Sequence, residues 1–293
     1  MNFLTIFTPT YNREDMLSNL YISLCNQTNK NFKWLIVDDG STDRTSSLVN
    51  LWIKEDRIKI EYHKQLNSGK HIAHNLALSI INTDYFLCVD SDDILAPKAV
   101  DIIYSYVNFE KDSNILGFYG RKGDLNGNPT GSNWPLNKKY SHLNELYFKD
   151  KFKGEAVIIL KTKLIKQYVF PYFEGEKFVT ESVFYDQIDN IAPMRLMNEI
   201  IYLFEYQTDG YTNQGINLFF NNPKGYAYFL KQRATTYGDF ILKVKYAAQY
   251  FAWLRTVKVH DEFPNIKIPL KIMVVGKVLS KYYEKKYSFL YNT

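Results

Sequence analysis

The sequence predicts an α/β protein with a mostly parallel sheet that is flanked by helices. Apolar segments with strand character alternate with segments of helical spacing through the first hundred residues. Three strand-helix units are followed by a fourth apolar segment, and each of these strands runs into a polar loop. This alternation predicts a parallel sheet with helices on both faces, because parallel strands need crossover connections.

The hydrophobic pattern assigns the elements in order. The predicted strands cover residues 3–8, 32–37, 58–62 and the apolar run 85–89. Apolar side chains at helical spacing predict helices over residues 14–27, around Leu48 and Trp52, and from about 71 to 81. Residues 154–160 read as a later strand, and residues 222–258 are largely helical by the same criterion.

Polar chemistry is gathered at four strand ends. The carboxyl ends of parallel strands lie at one edge of a sheet, and ligands bind such sheets at that edge. We therefore expect the four loops to form one ligand site. These loops are Thr8 to Arg13, Asp38 to Ser41, Asn67 to Lys70 and Asp90 to Asp93.

Three carboxylates follow the apolar run 85–89. Asp90, Asp92 and Asp93 would repel one another as bare carboxylates, which favours a hard divalent cation among them. The alternative is a polar turn that caps the next helix, with Ser91, Asp92 or Asp93 as the cap; Asp93 in particular would cap the helix that begins near Pro97.

Four motifs together resemble a known family. They are Thr8-Pro9-Thr10-Tyr11-Asn12-Arg13, Ile36-Val37-Asp38-Asp39-Gly40-Ser41-Thr42-Asp43, Asn67-Ser68-Gly69-Lys70 with Asn75, and Val89-Asp90-Ser91-Asp92-Asp93. In this order and at this spacing they are similar to the family 2 glycosyltransferases of the GT-A fold. The resemblance covers roughly the first hundred positions and continues more weakly to Glu181. It implies transfer of a sugar from a nucleoside diphosphate donor, with UDP as the expected nucleotide.

The resemblance assigns the donor contacts residue by residue. It implies that Asp39 accepts a hydrogen bond from the base and that Lys70 faces the diphosphate. Three alternatives stay open: Tyr11 packs over the sheet edge, Asp38 and Asp39 only organise a turn and a cap, and Lys70 is a surface lysine. The donor residues it implies are Thr8, Pro9, Thr10, Tyr11, Arg13, Asp38, Asp39, Lys70, Asn75, Asp90 and Ser91.

The resemblance also implies a metal and a catalytic base. Asp90 and Asp92 match the family's Asp-x-Asp signature and would hold Mn²⁺ or Mg²⁺ on the donor diphosphate. Glu181 is the expected base for an inverting transfer, although the family often has Glu-Asp where this chain reads Thr180-Glu181-Ser182. The alternates are Glu174 and Glu176. Glu181 is also explained by the first turn of a helix over 182–191, where negative charge is favourable.

Other residues do not indicate a different chemistry. His71 and His74 are three apart on a helix, but nothing nearby completes a zinc ligand set, so we expect them to flank the nucleotide pocket or to pack beneath it. Trp134 either stacks on a sugar or pins its loop to the core. Cys25 and Cys88 look like core residues, which indicates the reducing cytoplasm.

The domain prediction is a catalytic domain over residues 1–221 and a helical extension over 222–293. The tail 266–291 has six lysines and one acid, Glu284, among apolar residues, but no run of the ~20 apolar residues that span a bilayer. We expect either a helix that packs on its own domain or peripheral contact with the inner face of an anionic membrane. The net charge of +5 is modest, and no nucleic-acid-binding module is recognisable.

The expected activity is therefore an inverting, metal-assisted glycosyl transfer to a hydroxyl of a glycan or lipid-linked glycan. Two alternatives stay open. A catalytically silent sugar-nucleotide-binding module would have the same donor loops without a working base. A nucleotidyltransferase would need a glycine-rich and basic triphosphate loop, and the sequence shows none.

Overall fold

The computed structural model of the chain describes residues 3–204, 211–236 and 238–292. The chain forms two compact units. Met1–Val169 and Ile188–Gln207 make up the first, which we call the sheet unit. Phe170–Gln187 and Thr208–Thr293 make up the second, the helical unit. The functional division after residue 221 stays a prediction.

The sheet unit contains all nine strands of the described residues in one sheet. The strands are β1 Leu4–Thr10, β2 Phe32–Asp38, β3 Ile60–Lys64, β4 Tyr85–Cys88, β5 Ile94–Leu95, β6 Gly117–Gly123, β7 Tyr140–Ser141, β8 Ala156–Lys161 and β9 Met194–Leu203. The helices of this unit are α1 Glu14–Cys25, α2 Thr45–Glu55, α3 Lys70–Ile80, α4 Ala99–Phe109 and α5 Thr162–Ile165, with a π-helical turn at Glu145–Lys149.

The strand order is β3-β2-β1-β4-β8-β6-β9-β5, and β7 pairs with β9. The first four strands of this order are parallel to one another, β8 is antiparallel to both of its neighbours, and β6 and β9 are again parallel. The predicted fold class, a mostly parallel GT-A type sheet flanked by helices, is confirmed. The polar ends of β1, β2 and β4 are consequently neighbours.

Burial explains why β1 and β2 read as nearly continuous apolar runs. Every residue of both strands is buried, as expected for parallel strands that are covered on both faces. Trp34 on β2 packs against Tyr21 of α1 and Trp52 of α2, whose rings stack on each other with centroids 4.3 Å apart. This aromatic stack fixes α1 and α2 on one face of the sheet, and with them the starts of the polar loops.

The helical unit contains α6 Ser182–Ile188, α7 Tyr211–Phe220, α8 Pro223–Thr236, α9 Phe240–Val257 and α10 Leu270–Asn292. Helix α6 begins where the sequence predicts but ends three residues earlier than 191. The side chain of Asp239 accepts a hydrogen bond from the Leu242 amide at 2.9 Å and so caps α9. Trp253 is fully buried and stacks on Phe220. Within the described ranges, the chain has no helix that is both long and apolar enough to cross a membrane.

Candidate functional site

The first loop supplies two side chains that a ligand can reach. Thr8, Pro9 and Thr10 are buried, and the Thr8 hydroxyl accepts a hydrogen bond from Trp34 Nε1 at 3.0 Å. Tyr11 is exposed and Arg13 is half-buried. Among the residues predicted here as donor contacts, Tyr11 and Arg13 therefore present side chains, whereas Thr8 directs its hydroxyl into the core.

Asn12 joins the first loop to the second. Its backbone has a φ of 50°, a left-handed conformation that asparagine tolerates better than most residues. The Asn12 amide donates to Ser41 Oγ at 2.9 Å, and Asn12 Oδ1 accepts from the Thr42 amide at 2.8 Å. The sequence analysis did not assign Asn12 a role, although asparagine after a strand is a typical turn signal.

Asp38 and Asp39 organise the second and third loops. Asp38 is fully buried, and its carboxylate accepts from the Ser41 amide at 2.7 Å and from the Tyr62 hydroxyl at 2.5 Å. Asp39 is 5% exposed and accepts from the backbone amides of Ser68 and Gly69, at 2.8 and 2.7 Å. Both aspartates thus have the turn-forming contacts that the sequence left open as an alternative. Base recognition by Asp39 stays a prediction.

Lys70 connects the third loop to the fourth. Its Nζ lies 2.6 Å from Asp90 Oδ1, with 28% of the lysine side chain and 41% of the aspartate side chain exposed. Burial favours the neutral acid at Asp90, but the Lys70 ammonium outweighs it and lowers the pKa of this carboxyl. Asn75 is half-buried one turn further along α3, and its predicted contact with the donor stays a prediction.

The loop over residues 90–93 has one accessible acid besides Asp90. Ser91 is buried, and Asp92 is half-buried on the wall of a cavity of about 450 Å³. Asp93 is almost fully buried, and burial raises its pKa to about 7. The prediction that Asp93 caps the next helix is wrong. Strand β5 intervenes, and α4 begins only at Ala99 without a side-chain cap.

Asp93 instead contacts a residue that sequence reasoning missed. The Tyr202 hydroxyl donates to Asp93 Oδ2 at 2.7 Å and accepts from the Asp90 amide at 3.1 Å. Lys122 Nζ lies 4.5 Å from the centroid of the Tyr202 ring and 2.6 Å from Glu155 Oε2. Tyr202 and Lys122 are far from the loop in sequence, so only the sheet register brings them together.

The acidic loop fits a magnesium- or manganese-type site in which the substrate completes the ligand set. Over residues 3–204, 211–236 and 238–292 there is no cluster of three or more His, Cys, Asp or Glu side chains suited to a metal. Mg²⁺ is usually held by one or two carboxylates together with water and substrate phosphate oxygens. Asp90 and Asp92 provide the two accessible carboxylates, so they are the residues that would hold the ion.

His71 and His74 lie under the site. Both are buried on α3, and His74 packs edge-on against Phe7 and Phe86. Burial lowers the pKa of His71 to about 4 and that of His74 to about 3, so both imidazoles are neutral at physiological pH. They pack beneath the loops, as one of the two sequence interpretations expects.

The predicted base lies in the helical unit. Glu181 is exposed immediately before α6, and its carbonyl accepts from the amides of Phe184 and Tyr185. Of the alternates, Glu174 is exposed, whereas Glu176 is 8% exposed and accepts from the Lys224 and Gly225 amides at the start of α8. Glu176 therefore caps a helix, while Glu181 keeps the accessibility that a base requires.

The four loops of the sheet unit are bonded in series, first to second, second to third and third to fourth. A polar site of this kind at the carboxyl ends of adjoining parallel strands defines a ligand-binding α/β protein of the GT-A type. Residues 5–170 match the sequence model of glycosyl transferase family 2. The chain belongs to this family, as the four motifs implied.

Several relatives and solved structures are similar to this chain. The glycosyltransferase GlyG of Streptococcus pneumoniae is 26% identical over 211 residues, which cover 69% of this chain and 70% of the relative. A Haemophilus influenzae protein described as an uncharacterized glycosyltransferase is 30% identical over 181 residues, 61% of this chain and 70% of the relative. The crystal structure of S. aureus TarS has a TM-score of 0.65 at 16% identity, covering 99% of this chain and 91% of that one. A second TarS structure, with UDP-GlcNAc, has a TM-score of 0.64 at the same identity and coverage. At this identity the TarS structures show the fold.

Proposed function

We propose that this glycosyltransferase moves a sugar from a nucleoside diphosphate sugar, with UDP as the nucleotide, to a hydroxyl of a glycan or lipid-linked glycan. The observation that carries the proposal is the series of loop contacts that ends in the Lys70–Asp90 ion pair. It puts an ammonium and two accessible carboxylates beside an aromatic and a guanidinium side chain at one sheet edge. A nucleotide sugar offers matching groups: a base, a ribose and a diphosphate. TarS, which shares the fold, has been crystallised with UDP-GlcNAc.

In this proposal the first, third and fourth loops bind different parts of the donor. Tyr11 and Arg13 contact the base and ribose, since their side chains are accessible in the first loop. Lys70 donates to the diphosphate and offsets its charge. Asp90 and Asp92 would hold Mn²⁺ or Mg²⁺, which supplies Lewis-acid stabilisation of the departing diphosphate.

The proposed transfer inverts the anomeric centre. The acceptor hydroxyl attacks the anomeric carbon on the face opposite the diphosphate, so the new C–O bond forms as the bond to the diphosphate breaks. Glu181 takes the proton of the attacking hydroxyl, a role that an exposed carboxylate can fulfil. We propose that residues 1–221 make up the catalytic domain because Glu181 and the donor loops lie within them.

The experiment is a panel of UDP-, GDP- and dTDP-sugars with Mn²⁺ or Mg²⁺, in which release of free nucleoside diphosphate is followed. Metal-dependent release from one donor, lost in Asp92→Ala and retained in Asp101→Ala, supports the proposal. Asp101 is a matched control because it is also a half-buried aspartate of the sheet unit, on α4. Absence of both binding and release across the panel would contradict it. The anomeric coupling constant of the product tests inversion.

Two other functions give different results, the first in the same panel and the second in an assay with a nucleoside triphosphate and a sugar phosphate. A catalytically silent sugar-nucleotide-binding module binds a donor without release, and Glu181→Gln changes nothing. A nucleotidyltransferase releases pyrophosphate from a nucleoside triphosphate and a sugar phosphate. We favour transfer over both because the chain belongs to a glycosyltransferase family.

We also propose that α10 contacts the inner, cytoplasmic face of an anionic membrane. At 100° per residue, one side of the helix within an arc of about 100° carries four apolar or aromatic side chains and three lysines, all exposed. They are Val274, Val278, Tyr282, Phe289, Lys271, Lys281 and Lys285. The one acid of the tail, Glu284, is paired with Arg255 at 2.9 Å. A surface of apolar and cationic groups without acids fits anionic lipid headgroups.

Vesicle sedimentation tests this contact. The protein should sediment with phosphatidylglycerol vesicles and not with phosphatidylcholine vesicles. Replacing Lys271, Lys281 and Lys285 with glutamine should abolish sedimentation, whereas the same change at the exposed lysines 111, 163 and 166 of the sheet unit should not. Equal sedimentation of the two triple variants would contradict specific contact through α10.

A further inference from the structure

One hydroxyl group holds both ends of the acidic loop. Tyr202 is 3% exposed, and its oxygen makes two hydrogen bonds at once. It donates to Asp93 Oδ2 at 2.7 Å and accepts from the backbone amide of Asp90 at 3.1 Å. The first and last residues of the four-residue loop therefore meet at a single atom.

The strands on either side fix Tyr202 in this position. Tyr202 on β9 pairs with Leu95 on β5, immediately after the loop, and with Lys122 on β6. The Ala96 amide donates to the Ile201 carbonyl at 3.0 Å. The Lys122 ammonium lies 4.5 Å from the centroid of the Tyr202 ring, on which it makes a cation–π contact. The tyrosine thus has little freedom to turn away from the loop.

Within the loop the backbone turns so that the Asp93 amide donates to the Asp90 carbonyl at 3.2 Å. This bond alone leaves the direction of the Asp90 and Asp92 side chains to a short turn. The two bonds to Tyr202 add a buried anchor at each end. A loop that is fixed in this way directs both carboxylates before a ligand arrives, which reduces the ordering that binding requires.

We infer that Tyr202 is a positioning residue for the donor site, which fixes the loop 90–93 so that Asp90 and Asp92 face the diphosphate. This inference rests on the proposed function, since it assigns those carboxylates to the donor. Tyr202 acts through the loop and touches no substrate. A purely structural tyrosine would affect folding stability and leave donor affinity unchanged.

Tyr202→Phe tests the inference, with Tyr21→Phe as the matched control. Tyr21 is also buried, at 4% exposure, and its hydroxyl also donates to a carboxylate, Glu55 Oε2, at 2.6 Å. We expect Tyr202→Phe to lower kcat/KM for the donor about tenfold, the size of one buried hydrogen bond to a charged group, and to raise the metal concentration for half-maximal activity. Tyr21→Phe should change only the melting temperature. Equal donor kinetics in the two variants would overturn the inference.

A conservative substitution at the other end of the contact gives a second measure. Asp93→Asn keeps an oxygen that accepts the Tyr202 hydroxyl, whereas Asp93→Ala does not. Asp93→Asn should therefore lose less donor affinity than Asp93→Ala. Equal losses would count against the hydroxyl contact.

Hydrogen exchange separates failure of the inference from failure of the proposed function. In the wild type without ligand, the Asp90 amide should exchange slowly because it donates to Tyr202, and in Tyr202→Phe it should exchange at least about tenfold faster. An inactive wild type that shows this difference would contradict the proposed sugar transfer and still support the anchoring of loop 90–93 by Tyr202. An active wild type without the difference would contradict only the anchoring of the loop by Tyr202.

Discussion

Lys70 Nζ lies 2.6 Å from Asp90 Oδ1, across the gap between the third and fourth loops. The two residues are twenty positions apart and follow different strands, β3 and β4, which are not neighbours in the sheet. Their contact therefore closes the series of loops over the ends of β2 and β1. The pair puts one positive and one negative group at the place where a diphosphate and its metal would bind.

Loss of the Lys70 ammonium should weaken the donor site. In Lys70→Met, we expect kcat/KM for the donor to fall about 10- to 100-fold, because the diphosphate loses a charged hydrogen-bond donor. The matched control is Lys33→Met, which removes another ion-paired lysine of the sheet unit, 2.6 Å from Glu61. Steady-state kinetics at saturating metal make the comparison. Equal losses in the two variants would mean that Lys70 acts only on stability.

Trp134 should contribute to folding stability and not to sugar binding. Its side chain is 7% exposed, its Nε1 donates to the Met197 carbonyl at 2.6 Å, and its ring stacks on Phe152. These contacts agree with a tryptophan that pins its loop. Trp134→Phe should lower the unfolding free energy of the sheet unit by about 1–3 kcal/mol through the unpaired carbonyl and lost contacts. Donor and acceptor KM should stay unchanged, and a selective rise in either would show a sugar contact.

The sequence was informative about the sheet because β1 and β2 are buried on both faces and so are apolar throughout. The polar loops after these strands were predictable for the same reason, since polar residues stand out in the sequence directly after an apolar strand. Tyr202 and Lys122 were not predictable, because an aromatic and a basic residue within strands have no local signal. Their proximity to Asp93 depends on the pairing of β9 with β5 and β6.

The first and last residues of helices and strands also could not all be predicted from the sequence. Helix α3 begins at Lys70 and not at 71, after Gly69 with a φ of 94°, and β3 covers Ile60–Lys64 because Trp34 pairs with Ile60. The sequence alone could not assign the role of Asp39 either. The composition Asp-Asp-Gly fits both a turn and a ligand contact, and only the bonds to the Ser68 and Gly69 amides show the turn role.

The two buried histidines predict acid sensitivity of the sheet unit. The pKa of His71 is lowered by burial to about 4 and that of His74 to about 3. The unfolded chain protonates both imidazoles near pH 6.5, whereas the folded chain does not. The contribution of the neutral histidines to folding stability is therefore complete above pH 6.5 and is lost as the pH falls toward 4. Each histidine should contribute up to about 3 kcal/mol to this loss.

The melting temperature measured between pH 7.5 and 4 checks this expectation. His71→Gln should show a smaller decrease over this range than the wild type, whatever its stability at neutral pH. His260→Gln, which changes an exposed histidine of the helical unit, should follow the wild-type profile. The same change of melting temperature with pH in all three proteins would contradict the proposed role of His71 in acid sensitivity.

Arg233 and Asp186 stabilise the helical unit around the proposed base. Arg233 Nε and Nη2 donate to the two carboxylate oxygens of Asp186, at 2.6 and 3.1 Å; the Asp186 side chain is buried and that of Arg233 is 13% exposed. Arg233→Met should lower the unfolding free energy of this unit by about 3–5 kcal/mol, since it removes the paired guanidinium from a buried carboxylate. Lys224→Met, which breaks an exposed pair with Glu262, should cost at most about 1 kcal/mol. Hydrogen exchange of the α8 amides measures both variants, and similar effects would contradict the prediction.

The most direct test of the donor site is a crystal structure of the full chain with UDP and Mn²⁺. We expect the nucleotide over the carboxyl ends of β1, β2 and β4, with Lys70 within hydrogen-bond distance of the diphosphate and the metal on Asp92. Calorimetry with Asp92→Ala should show a matching loss of affinity. A nucleotide bound elsewhere, or a metal that leaves Asp90 and Asp92 without contact, would contradict it.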